Sequence, residues 1–126
     1  LAMGDLDGDG DVDLVVTNIQ GPARVYRNDT PRRGSWLIVR AVDPRLRRDA
    51  IGARITVACG SRRFVRTISP AGRYLSSSDV RAHFGLGPAT KIDSLEVDWP
   101  DGLREEYAGP TVNGVITVVR GKGRRR

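Results

Sequence analysis

The sequence predicts an all-β protein, a sandwich or barrel of about seven short strands, and three observations carry that expectation. Fifteen glycines and seven prolines punctuate 126 residues, a density that interrupts helices and suits short strands joined by turns. No window of eleven or more residues spaces its apolar positions as a helix would, whereas several alternate apolar with polar. Turn signals recur about every ten residues, the interval expected of sandwiches and barrels.

Taken in chain order, residues 4–13 read as a loop and Asp13 to Thr17 (DLVVT) as a strand. Gly21-Pro22 turns the chain into an alternating stretch, Arg24 to Arg27, and Thr30 to Ser35 (TPRRGS) reads as a linker. Trp36 to Val42 (WLIVRAV) is the strongest strand, followed by a charged loop from Asp43 to Asp49. Arg54 to Cys59 and Arg63 to Ile68 flank Gly60-Ser61, the composition of a tight hairpin connection. Ser69 to Asp79 is a long polar loop, and Val80 to Gly87 holds a short strand at most. Lys91 to Trp99 alternates with Leu95, Val97 and Trp99 on one face, and Pro100-Asp101-Gly102 turns it into Arg104 to Tyr107. Val115 to Val119 is the last strand, and residues 122–126 form a basic tail expected to be disordered. Trp36, Ile38, Ile55, Val57, Leu95, Val97 and Trp99 are the expected core.

The net charge of +6 conceals an asymmetry. Residues 1–29 hold six Asp against two Arg, and residues 30–126 hold nineteen Lys or Arg against nine Asp or Glu. Two segments of opposite sign predict two tasks. The basic excess favours an acidic protein or an anionic glycan as partner. Nucleic acid is the weaker choice, because the arginines are scattered and no nucleic-acid-binding motif is present. No apolar run reaches the roughly 18 residues that span a bilayer. Cys59 is the one cysteine, which excludes an internal disulfide and a cysteine zinc cluster. It stands in phase with Ile55 and Val57, as a small core residue would.

The sharpest chemical signal is Gly4-Asp5-Leu6-Asp7-Gly8-Asp9-Gly10-Asp11-Val12-Asp13. Alternating carboxylates supply the six or more oxygens that calcium requires, and Gly10 permits the turn that brings the later ligands round. Asp5, Asp7, Asp9 and Asp13 are expected to ligate through side chains and Asp11 through its carbonyl. Carboxylates about 5 Å apart otherwise repel by about 1 kcal/mol per pair even in water. An EF-hand does not fit, because Val16 stands where a bidentate Glu is needed and a strand follows where a helix should.

This loop, leading straight into Asp13-Leu14-Val15-Val16-Thr17, resembles the FG-GAP/VCBS repeats of integrin-type β-propellers. The resemblance covers residues 1–29 and implies a calcium loop with part of one blade, so the chain is expected to be a piece of a longer protein. Two lone strands of a blade leave edges open, which makes self-association through this segment an expectation.

Residues 35–121 resemble the ASPIC/UnbV domain. The matching motifs are Trp36-Leu37-Ile38-Val39, Arg48-Asp49-Ala50-Ile51-Gly52-Ala53-Arg54, Gly72-Arg73-Tyr74-Leu75-Ser76-Ser77-Ser78-Asp79, His83-Phe84-Gly85-Leu86-Gly87 and Val97-Asp98-Trp99-Pro100-Asp101-Gly102. The resemblance implies an extracytoplasmic module, whether secreted, periplasmic or cell-surface, and carries no reaction with it. Arg73, Tyr74, Ser76, Ser78, Asp79 and His83 make up the candidate ligand loop, polar loops of this length being common binding sites. The expected function is binding or adhesion within a larger calcium-stabilised propeller protein. An enzyme or accessory protein of natural-product biosynthesis is the alternative, though one His, one Cys and no G-x-S-x-G motif offer it little chemistry.

Overall fold

A nine-residue strand, Ser35–Asp43, organises most of the chain in a computed structural model that describes residues 1–31, 34–71 and 76–126. With earlier strands Ala2–Gly4 (β1), Asp13–Asn18 (β2) and Gly21–Tyr26 (β3), it is β4. β5 (Arg48–Asp49), β6 (Arg54–Cys59), β7 (Arg62–Thr67) and β8 (Ala82–Gly87) follow. β9 (Ser94–Asp98), β10 (Arg104–Tyr107), β11 (Gly114–Val119) and β12 (Arg124–Arg125) complete the set. No helix occurs among the described residues. The chain divides into two compact units, Leu1–Arg32 with Pro70–Asp79, and Arg33–Ser69 with Val80–Arg126.

The larger unit is a β-sandwich of two open sheets. One runs β12-β10-β9-β6-β7, and in the other β4 is flanked by β11 on one side and by β5 and β8 on the other. Neither closes, so the barrel alternative is set aside. Leu37, Val39 and Ala41 of β4 share one buried cluster with Phe84 and Leu86 of β8, and with Ile55, Val57, Leu95 and Val97 of the opposing sheet. Period-two alternation in β6 and β9 puts those apolar side chains on one face. Trp36 and Ile38, on the other face of β4, are buried as well, so all seven expected core residues are buried. Each large side chain removed from water stabilises the fold by about 1.5–3 kcal/mol.

Several local expectations change. The 80–87 segment holds a full six-residue strand, because β8 pairs with β4 along Ser35–Val39. The 43–49 loop contains a short strand, β5, that closes a hairpin on β4. β11 lies parallel to β4, Val115 opposite Ile38 and Val119 opposite Val42. The basic tail is a correction: Arg124–Arg125 form β12 on β10, with Glu105 opposite Arg125. Arg124 and Arg126 reach Glu106 at 2.8 and 3.2 Å, and Arg126 reaches Glu96 at 2.9 Å. Charge that would have kept the segment in solvent is neutralised by carboxylates of β9 and β10. The turn before β12 is seated by Gly121, whose N–H donates to both oxygens of the buried Glu105.

The smaller unit is a three-stranded antiparallel sheet, β1-β2-β3, one strand more than the two expected. The edge of β1 is occupied by the chain near residue 78. Asp79 N–H donates to the Met3 carbonyl at 3.0 Å, Met3 N–H to Ser78 Oγ at 3.3 Å, and Ser76 Oγ to the Leu1 carbonyl at 2.5 Å. β3 is exposed along its whole length.

Candidate metal centre

The loop between β1 and β2 folds because its aspartates bind its own backbone. Asp5 Oδ1 accepts from Gly8 N–H at 2.8 Å and Asp9 N–H at 3.2 Å, and Asp5 Oδ2 accepts from Gly10 N–H at 3.0 Å. Gly8 and Gly10 sit at φ 79° and 93°, in the left-handed region that side chains disfavour. Asp13, the first residue of β2, ties both ends of the unit together. Its Oδ2 accepts from Leu6 N–H at 2.9 Å, and its Oδ1 from Asn28 N–H at 2.8 Å just beyond β3.

These contacts bring Asp5, Asp7 and Asp13 together, with one carboxylate oxygen from each within 4.8 Å of the other two. Asp13 is 1% exposed and Asp5 9%, while Asp7 faces solvent. Opposed ligands of a calcium ion stand about 5 Å apart, from Ca–O distances near 2.3–2.6 Å, so the spacing is of the right size. The donors are all oxygens, the chemistry a hard cation takes. Each Asp13 oxygen accepts one backbone hydrogen and has capacity for a second partner. Among the described residues, Arg27 Nε lies 4.0 Å from Asp7 but 2.7 Å from Asp29.

By their carboxylate oxygens the structure gathers Asp5, Asp7 and Asp13. Asp9 Oδ1 accepts from Asp11 N–H at 2.9 Å, and Asp11 is the residue expected to ligate through its main-chain carbonyl rather than its side chain. Asn28 went unnoticed as a supporting residue, since only the folded unit carries it back to Asp13.

The candidate ligand loop separates. Arg73 and Tyr74 lie outside the described residues. Ser76 bonds the Leu1 carbonyl, and Ser78 and Asp79 bond the backbone of Met3 in β1. His83 belongs to the other unit, half-buried in β8 opposite Ile38. Cys59 is buried, and burial followed by the nearby Asp93 charge pushes its thiol up, away from reactive thiolate.

Two buried acids of the larger unit were not legible as such. Glu105 is 1% exposed, held by Gly121 N–H and by the Tyr107 hydroxyl at 3.1 Å. Asp43, 4% exposed, accepts from Arg45 N–H, Nε and NH2 at 3.0, 3.1 and 2.7 Å. Arg45 continues to Asp101 at 3.2 Å, and Asp101 also pairs with Arg120.

Over 123 residues the chain is 32% identical to cartilage acidic protein 1 of Mus musculus and of Homo sapiens, covering 91% of this chain. The same protein of Xenopus tropicalis matches at 32% over 125 residues. The chain spans only 18–19% of the length of these relatives. A family model described as ASPIC and UnbV matches residues 43–125, most of the larger unit. The chain belongs to the ASPIC and UnbV family.

Proposed function

We propose that the chain is an extracytoplasmic binding or adhesion module whose Asp5–Asp13 loop takes one calcium ion as a structural cross-link. The observation that carries this reading is Asp13, a carboxylate 1% exposed and clustered with two others. Removing one carboxylate from water has an effective penalty of several kcal/mol, and neighbouring carboxylates add to it. Backbone hydrogen bonds offset part of that, and a divalent cation would offset the rest. Asp5, Asp7 and Asp13 would hold the ion, which would join the start of β2 to the chain entering it and leaving β3. The resemblance of residues 1–29 to a propeller repeat supports the same assignment and a larger calcium-stabilised protein around it.

An extracytoplasmic setting agrees with extracellular calcium modules, which bind at roughly 10⁻⁴–10⁻³ M, and with relatives named for cartilage. The partner of the larger unit is an acidic protein or anionic glycan, attracted by the basic excess of residues 30–126. The test is a set of melting curves with calcium, with magnesium and with chelator, for the chain and for Asp13→Asn. A rise specific to calcium and absent from the variant is expected. Superimposed curves in all three conditions would remove the site.

A further inference from the structure

A cavity of about 120 Å³ opens beside the β4–β5 hairpin, within the larger unit. Its apolar walls are Leu46, Ala50, Ile51 and Pro100. Leu46 and Ile51 are 55% and 47% exposed, two of the few large apolar side chains this unit leaves in water. The polar lining is Asp43, Arg45, Arg48, Asp49 and Asp101. Its three carboxylates are already matched: Asp43 by Arg45, Asp101 by Arg45 and Arg120, and Asp49 by Arg40 at 2.6 Å. Arg48 has no carboxylate partner among the described residues, and neither does Arg47 on the loop beside it.

The loop is fixed before any partner arrives. Arg45 is clamped between Asp43 and Asp101, and Leu46 N–H donates to the Asp43 carbonyl at 3.1 Å. Arg47 adopts φ 51°, where the four-residue hairpin would accommodate glycine at lower cost. An exposed arginine at that position in a preformed turn, with no carboxylate partner among the described residues, is better suited to recognition than to folding.

We propose that this cavity receives one leucine- or phenylalanine-sized side chain of an acidic partner segment, with Arg47 and Arg48 engaging the flanking carboxylates. The inference rests on the acidic-partner reading above and specifies its site. The volume suits a single side chain, since a cavity of about 150 Å³ accepts benzene. The remaining charge is positive, because every lining carboxylate is matched. An anchor in a pocket ringed by charge is the usual form of an interface hot spot.

The experiment measures fluorescence anisotropy of two labelled decapeptides on the 126-residue chain, one of Glu and Asp around a central Leu, the other with Ser replacing that Leu. Arg48→Ser and Ile51→Ser are compared with wild type and with Arg63→Ser, a basic change on β7; thermal melts confirm folding. The Leu peptide is expected to bind at least about tenfold tighter than the Ser peptide. That preference should vanish in Ile51→Ser, affinity should fall in Arg48→Ser, and Arg63→Ser should match wild type. Salt-sensitive binding that ignores the Leu and is equally weakened at Arg63 would overturn the pocket and leave the acidic-partner reading intact. A heparin hexasaccharide that binds, with neither peptide doing so, would overturn it in favour of a glycan. No binding of peptides or heparin at low salt would overturn both readings.

Discussion

Asp43 is a buried carboxylate whose ionisation supports the larger unit. The Arg45 side chain, the Arg45 N–H and the charge of Arg120 hold its carboxyl at about 2, well below the usual carboxylate value, despite burial. A depressed carboxyl stabilises the fold above its unfolded value, near 3.9, and that contribution is lost as pH falls toward 2. Stability should therefore fall through this acid window, and Asp43→Asn should flatten the fall while lowering stability at neutral pH. Urea melts at a series of pH values would check both, and parallel pH profiles would contradict the assignment. Gly123 is a second decisive residue, for steric reasons. A Cβ there would lie 2.8 Å from Glu105 Cβ and 2.9 Å from Tyr107 Cζ. Gly123→Ala should destabilise the chain by about 1–3 kcal/mol, the usual cost of overpacking, measured by chemical denaturation. An unchanged midpoint would mean the C-terminal turn is not seated as described.

Legibility in the sequence varied element by element, for physical reasons. β4, β6 and β9 were evident because their burial follows from local alternation, and Gly60 at φ 59° begins the two-residue hairpin that Gly60-Ser61 implied. β11 was found, but its parallel pairing with β4 was not, since a partner some 77 residues distant leaves no local mark. β12 was hidden because Arg-rich ends read as solvated until the carboxylates opposite them are known. In the candidate metal loop the residue types were evident, whereas the support of Asp13 by Asn28 depends on the folded β2–β3 pair. The Tyr107 hydroxyl lies 2.8 Å from the Val119 carbonyl and 3.1 Å from Glu105 Oε2, binding β10 to the end of β11. Tyr107→Phe should cost about 1 kcal/mol and loosen residues 119–125. Amide exchange would register the change at those residues; a variant as protected as wild type would refute the tie.

At the scale of the molecule, the two units differ in what they leave exposed. Among the described residues, six of the ten exposed large apolar side chains, including Ile19, Val25 and Tyr26, belong to the smaller unit. β3 is the open edge of its sheet, and such edges pair with other chains unless charge or a bulge prevents it. The isolated chain should therefore self-associate, and Val25→Lys should reduce this without altering the larger unit. Light scattering over a concentration series provides the check; a concentration-independent monomer mass for wild type would contradict the expectation. The same unit holds the aspartates proposed to bind calcium. The most direct measurement is a calcium titration of the chain by calorimetry, with magnesium as control and with Asp7→Asn and Asp9→Asn alongside. One calcium should bind per chain at a dissociation constant of roughly 10⁻⁴–10⁻³ M, with little response to magnesium and a larger loss for Asp7→Asn than for Asp9→Asn. Absence of saturable binding at several times that concentration, or equal affinity for magnesium, would contradict it.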